Sequence, residues 1–159
     1  DLIKKGIEFH WWGYYNKWLP QENFYYASKN VGFEANPEGR MEGTYSKYAQ
    51  LDDATDSFLY YMMFIKYGIG RATSDASHEV RDGHINREEA VALVRRYDGE
   101  FPIKYWKEFL EYLGITKKEF WYVVDKYRRD TIWSRTDVKV SGYEPEDQYK
   151  LWKLKHLVE

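Results

Sequence analysis

The chain has 159 residues, enough for one domain or for one part of a larger domain. Its 24 basic and 26 acidic residues leave a net charge of −2, which argues against a general nucleic-acid-binding protein. The sequence has no cysteine, which excludes disulfides and thiolate metal sites, and no apolar run approaches the roughly 20 residues that cross a bilayer. We therefore expect a cytoplasmic protein that neither inserts into a membrane nor binds nucleic acid.

The first 50 residues are predicted to be largely irregular, because Pro and Gly recur through them. Ile7, Phe9 and Trp11 alternate with polar residues, which predicts a short strand. Residues 20–30 are predicted to form one short helix.

Residues 31–50 have the composition of a long polar loop that carries both aromatic and basic side chains, including Arg40 and Tyr45. Such a loop suits a sugar nucleotide, because aromatic rings stack on sugars or bases and cations hold phosphates. It equally suits a loop that folds over its own aromatic residues.

From residue 51 onward, apolar residues recur at helical spacing and predict a mainly α fold of about five helices. Nearly every residue beyond Phe58 in the first helix is apolar or aromatic, so we expect that end to be buried all round. Capping boxes are predicted where the third and fifth helices begin. The predicted helices cover residues 51–66, 71–81, 86–97, 102–113 and 116–127.

Three regions follow from this pattern. Residues 1–50 form an irregular segment with a polar substrate-side loop, and residues 51–133 form a helical domain. Residues 134–159 form a C-terminal tail, in which residues 138–140 are predicted to pair with residues 151–154 as a short hairpin that turns at Gly142.

The second predicted helix carries a polar stripe on one face, because its members are three or four residues apart. A carboxylate there could orient a histidine for acid–base work, and the stripe also suits a solvated face of ordinary ion pairs. His78 and Glu79 begin an HExxH-like pattern that Asp82 breaks, so we expect no metal site. The stripe consists of Arg71, Ser74, Asp75, His78 and Asp82.

The corner before this helix holds Lys66, Gly68, Gly70 and Arg71. Two cations and the free N–H groups of a helix start favour an anion there. The alternative is a helix–helix corner that needs the backbone freedom of glycine. Helix-end electrostatics explains Lys66, but a cation at a helix start opposes the dipole, so Arg71 calls for another explanation.

Four segments taken together resemble the C-terminal portion of the N-acetyl sugar amidotransferases of lipopolysaccharide O-antigen biosynthesis. The resemblance covers roughly residues 10–133, and its most specific block is IGRATSDAS followed by EVRDG. The segments are WLPQENFYYA (18–27), GFEANPEGRMEGTYSKYAQLDD (32–53), FIKYGIGRATSDASHEVRDGHINREEAVALVRRYDGEFP (64–102) and FLEYLGITKKEFWYVVDKYR (109–128).

This resemblance implies that the chain is the C-terminal part of a larger α/β enzyme of the PP-loop ATP pyrophosphatase type. Such an enzyme uses ATP and Mg²⁺ to convert an acetamido group of a nucleotide-linked sugar into an acetamidino group, with ammonia from a glutaminase subunit. No catalytic residue is assigned. The residues predicted to face the sugar nucleotide are Arg40, Tyr45, Lys66, Arg71 and Asp75.

The chain departs from the family pattern in one respect: the SGGKDS-type PP-loop and the upstream cysteine pairs are absent from the sequence. The resemblance therefore implies no ATP site in these residues and no activity of the chain alone. The alternative is a non-catalytic helical interaction or subunit-docking module, because short linkers join the helices at 86–128.

Overall fold

The computed structural model of the chain describes residues 2–140 and 142–155. The chain separates into two units, Asp1–Glu34 and Ala35–Glu159, whereas the sequence pattern suggested boundaries after residues 50 and 133. The described part is mainly α, as predicted, with eight α-helices and one two-stranded sheet. None of these helices combines the length and apolar character that a membrane crossing requires.

The unit Asp1–Glu34 contains a short 3-10 helix, Ile3–Lys5, followed by helices α1 (Trp12–Tyr15) and α2 (Pro20–Val31). The predicted helix at 20–30 is confirmed, and Pro20 occupies its first turn, where a missing N–H costs nothing. The strand predicted at residues 7–11 is wrong. Those residues are irregular because no strand in the described part of this unit pairs with them.

The unit Ala35–Glu159 begins with a loop and continues through five helices, a strand, a helix and a final strand. All five predicted helices form, and both predicted capping boxes, Asn86 with Glu89 and Thr116 with Glu119, are confirmed. The elements are α3 (Asp56–Tyr67), α4 (Arg71–Asp82), α5 (Arg87–Tyr97), α6 (Trp106–Leu113), α7 (Lys117–Lys126), β1 (Trp133–Arg135), α8 (Pro145–Leu151) and β2 (Trp152–Leu154).

Helix α3 begins five residues later than the pattern suggested. The Asp53 carboxylate accepts hydrogen bonds of 2.7 Å from both the N–H and the hydroxyl of Thr55, which fixes a turn in place of a first helical turn. The prediction that its second half is buried all round is also wrong. Leu59 and Tyr67 are exposed, because the core covers only the opposite face of the helix.

The core is a cluster of aromatic and aliphatic side chains from α3, α6, α7 and the segments beside them. Phe58 lies near its centre, where its ring stacks on that of Phe109 with centroids 3.8 Å apart. The buried members are Phe58, Tyr61, Ile65, Phe101, Trp106, Phe120, Trp121, Val124 and Trp133.

The C-terminal sheet pairs β1 with β2 in antiparallel register, with Trp133 opposite Leu154. The strand predicted at residues 151–154 is confirmed as β2, but its predicted partner at residues 138–140 is wrong, since those residues are irregular. Trp133 holds β1 against α3, because its buried indole donates a 2.6 Å hydrogen bond to the Ile65 carbonyl. Between the strands, Pro145 opens α8, which the sequence analysis did not predict.

Candidate functional site

A group of six polar side chains lies along α4, and five of the six come from the loop before α3 and from α4. We name the whole set the Asp75 cluster: Thr44, Tyr45, Tyr60, Arg71, Asp75 and Glu79. At its centre, the largely buried Asp75 carboxylate accepts a 2.7 Å hydrogen bond from the Thr44 hydroxyl and a 2.8 Å bond from Arg71 Nε. Thr44 is fully buried, and the Ala72 N–H donates to the Gly43 carbonyl at 3.0 Å, so the loop is fastened to the start of α4.

Arg71 occupies the first turn of α4 because two neighbours compensate for the unfavourable helix dipole. Asp75 lies one turn further along and forms an ion pair with it. The guanidinium also lies 4.7 Å from the centre of the Tyr60 ring and donates to the Tyr60 hydroxyl. The polar stripe allowed Asp75 to orient His78, but the hydrogen bonds of Asp75 go to Thr44 and Arg71.

Tyr45 and Glu79 complete the cluster on the side away from Arg71. The Tyr45 hydroxyl is buried and interacts with the Glu79 carboxylate. Burial, with the Glu79 and Asp75 charges, raises the pKa of Tyr45. Burial also raises the pKa of Asp75 and of Glu79, and the Asp75 charge adds to the rise at Glu79. The cluster therefore combines a neutral hydroxyl donor with two carboxylates that hold protons more readily than exposed ones.

Arg40 does not join the Asp75 cluster through its charge. Its guanidinium forms two hydrogen bonds, of 2.6 and 2.9 Å, with the Glu100 carboxylate and lies 4.4 Å from the Tyr97 ring centre. It also donates to the carbonyls of Met41 and Thr44. Arg40 thus fastens the loop to the end of α5, and its charge is already matched by Glu100.

Lys66 is separate from the other predicted site residues. Its ammonium lies 5.4 Å from the Tyr67 ring centre and 5.7 Å from that of Tyr127. Those contacts belong to α3 and the end of α7. The structure therefore brings together Tyr45, Arg71 and Asp75, with Arg40 beside them, and leaves Lys66 with its own aromatic neighbours.

The predicted anion site at the Gly68–Arg71 corner is corrected by the position of Asp98. Its carboxylate accepts hydrogen bonds from the Gly70 N–H at 2.8 Å and the Thr73 N–H at 3.1 Å, and from the Thr73 hydroxyl. These are the N–H groups that the sequence analysis had left free for a ligand. The chain's own carboxylate occupies these N–H groups, which favours the alternative of a structural helix–helix corner.

A family model described as LPS biosynthesis protein WbpG-like, C-terminal domain, matches residues 42–145, which is more than half of the chain. The chain belongs to this WbpG-like family. It is therefore a C-terminal portion of a lipopolysaccharide biosynthesis protein, as the resemblance implied. No curated protein matches the chain.

The matched region of this WbpG-like domain contains the whole Asp75 cluster, whereas Arg40 lies just before it. Sequence reasoning missed Thr44, Tyr60, Glu79 and Asp98. Only Glu79 left a signal, because it follows Asp75 by one helical turn. Within the described residues, no three histidine or acidic side chains group closely enough to hold a metal ion.

Proposed function

We propose that this chain is the C-terminal part of an ATP-dependent amidotransferase of lipopolysaccharide and O-antigen biosynthesis. The complete enzyme converts an acetamido group of a nucleotide-linked sugar into an acetamidino group in the cytoplasm, and a glutaminase subunit supplies the ammonia. The observation that carries this proposal is the WbpG-like family match over residues 42–145. The segment resemblance at 64–102, which supplies Arg71, Asp75 and Asp98, supports the particular reaction.

The chain's residues do not fit ATP. The sequence contains no SGGKDS-type loop, and Asp98 already occupies the N–H groups at the start of α4. A second anion there would meet a carboxylate at close range. ATP and Mg²⁺ thus belong to the remainder of the complete enzyme, where phosphate chemistry turns the amide oxygen into a good leaving group.

The Asp75 cluster suits the acetamido end of the substrate better than its phosphates. It contains two carboxylates and one guanidinium, so it is negative when both acids are ionised. An acetamidino group carries a positive charge near neutral pH, and nearby carboxylates stabilise it. In the complete enzyme the Tyr45 hydroxyl, which lies beside Glu79, donates a hydrogen bond to the amide oxygen, while Arg71 keeps the Asp75 carboxylate oriented.

Substitution of Arg71 in the full-length enzyme tests this assignment. Losing a charge-assisted hydrogen bond to a partly buried carboxylate costs about 1.5–3 kcal/mol. We therefore expect Arg71→Ala to lower kcat/KM for the nucleotide sugar roughly ten- to a hundredfold. Arg71→Lys keeps the charge but loses the planar guanidinium and its directed N–H donors, so we expect an intermediate kcat/KM. The measurement is steady-state formation of the acetamidino sugar.

The matched control is Arg81→Ala, because Arg81 is exposed near the other end of the same helix. It should keep the wild-type kcat/KM. Chemical denaturation of each variant separates a loss of activity from a loss of folding. If Arg71→Ala and Arg71→Lys both retain wild-type kcat/KM, the cluster is purely structural and this assignment is wrong.

A second candidate is a subunit-docking module. The observation that favours it is the Asp1–Glu34 unit, in which no described residue is buried and Trp11, Trp12 and Trp18 are exposed. A docking module predicts that variants of these tryptophans weaken subunit assembly, while Arg71 variants leave the reaction unchanged.

A further inference from the structure

A groove of about 550 Å³ lies between α7, the irregular segment before α8, and α8 itself. It contains none of the Asp75 cluster and none of the residues that the sequence analysis predicted to bind substrate. We name it the α7–α8 groove. The lining residues that matter for its chemistry are Lys118, Tyr122, Arg135, Lys139, Tyr143 and Gln148.

The charge of the α7–α8 groove is positive. Lys118 and Lys139 form no ion pair with any residue that the structure describes. Arg135 lies 5.7 Å from the Trp152 ring centre. Asp125 is the acidic side chain in the lining, and it is paired at 3.1 Å with the buried Arg128. This contrasts with Arg40 and Arg71, whose charges are already matched by Glu100 and Asp75.

Gln148 lines the groove and carries a buried hydrogen-bond acceptor. Its side chain is only 5% exposed, and its Oε1 has no partner among the described residues. An unsatisfied buried acceptor is destabilising, and a ligand hydroxyl or N–H that bonds to it removes this cost. Gln148 lies between the groove and a smaller cavity of about 180 Å³, where the Trp152 Nε1–H is also unpaired.

Hydrogen bonds from α7 hold the segment that carries Tyr143 in place. The buried Trp121 indole donates a 2.8 Å hydrogen bond to the Tyr143 carbonyl. Lys117 forms two bonds, of 2.6 and 2.8 Å, to the Glu144 carboxylate just before α8. Tyr122 and Tyr143 themselves remain exposed at the groove, and the Lys126 ammonium lies 4.2 Å from the centre of the Tyr122 ring. Rings of this kind pack on the apolar face of a sugar.

We infer that the α7–α8 groove binds a phosphorylated sugar. The unpaired cations receive the phosphate, the tyrosine rings cover the sugar ring, and Gln148 Oε1 accepts a hydrogen bond from a sugar hydroxyl or amide N–H. This inference rests on the groove alone and does not depend on the amidotransferase reaction.

Calorimetric titration of the full chain with N-acetylglucosamine 1-phosphate tests the inference. Wild type should bind this ligand more tightly than either N-acetylglucosamine or inorganic phosphate, with affinity falling as salt rises. Lys118→Gln combined with Lys139→Gln should raise Kd roughly tenfold or more, because two phosphate contacts are lost. Gln148→Met, close to glutamine in size, should also weaken binding.

The control is the double variant Lys107→Gln and Lys153→Gln, which removes two exposed lysines outside the groove and should leave Kd unchanged. Circular dichroism verifies that each variant keeps its helical content. The inference is overturned if the folded wild type does not bind the sugar phosphate at millimolar concentration, or if the groove variants bind as wild type does. Equal binding of inorganic phosphate alone would also overturn the sugar-specific part. None of these results bears on whether the complete enzyme forms an acetamidino sugar.

Discussion

Replacement of Phe58 by alanine is expected to lower the free energy of unfolding by about 3–5 kcal/mol. The Phe58 side chain is 2% exposed. Its ring stacks on Phe109 at 3.8 Å and meets the ring of Phe101 edge-on at 6.0 Å. These partners come from different segments of the Ala35–Glu159 unit, so the surrounding rings cannot close the cavity without moving the segments that carry them.

Urea denaturation followed by tryptophan fluorescence measures this loss. Leu59→Ala is the matched control, because Leu59 is the next residue of α3 and is 63% exposed. We expect its effect to stay within about 0.5 kcal/mol. A Phe58→Ala loss below about 1 kcal/mol would mean that α3 turns a different face to the core.

Replacement of Gly99 by alanine is expected to be nearly as damaging, at about 2–5 kcal/mol. Two separate effects add at this position. Gly99 has a φ of 76°, in the left-handed region that costs an L-residue about 1–2 kcal/mol. A Cβ there would also lie 2.2 Å from Cε1 of Phe64, which packs edge-on against the buried Trp133.

Gly83→Ala separates the two effects. Gly83 has a nearly identical φ of 78°, but no heavy atom lies within 4 Å of the position that its Cβ would take. We expect a loss of about 1–2 kcal/mol from backbone strain alone. The difference between the two variants, measured in the same denaturation assay, reports the overlap with Phe64. Equal losses would show that Phe64 moves aside freely and that this part of the packing is loose.

The parts of the fold that sequence reasoning predicted correctly are local. A capping box needs only residues three apart, so Asn86 with Glu89 and Thr116 with Glu119 could be identified directly. The start of α3 was placed too early, because a side-chain turn at Asp53 competes with the helix. That competition depends on a side-chain conformation that apolar periodicity does not report.

The predicted C-terminal hairpin is half right: residues 152–154 form a strand, but residues 138–140 do not. Strand pairing joins residues that are distant in the chain, and an alternating pattern at 138–140 does not reveal its partner. Trp133 bonds to Ile65 of α3, 68 residues away along the chain, and the strand that it begins pairs with β2. The intervening helix did have a local signal, Pro145 preceded by a capping Glu144, which the sequence analysis overlooked.

In the candidate site, too, the local contacts could be predicted from the sequence and the long-range contacts could not. Arg71 and Asp75 are one helical turn apart, so their proximity followed from periodicity. Thr44 bonds to Asp75 across 31 residues of sequence, and Asp98 reaches Gly70 across 28. The second of these long-range contacts closes the anion site that the sequence had suggested. Tertiary packing decided which charges are matched within the chain and which remain open, as at Lys118 and Lys139.

Product analysis with the full-length enzyme tests the proposed amidotransferase reaction most directly. The enzyme is incubated with a nucleotide-linked N-acetyl sugar, ATP, Mg²⁺ and isotopically labelled ammonia, and the sugar is then analysed by mass spectrometry. We predict that the acetamido oxygen is replaced by labelled nitrogen, and that the chain of 159 residues alone gives no product. An unchanged acetamido group in the complete mixture would contradict the proposed reaction. Conversion by the chain alone would contradict the assignment of the ATP site to the rest of the enzyme.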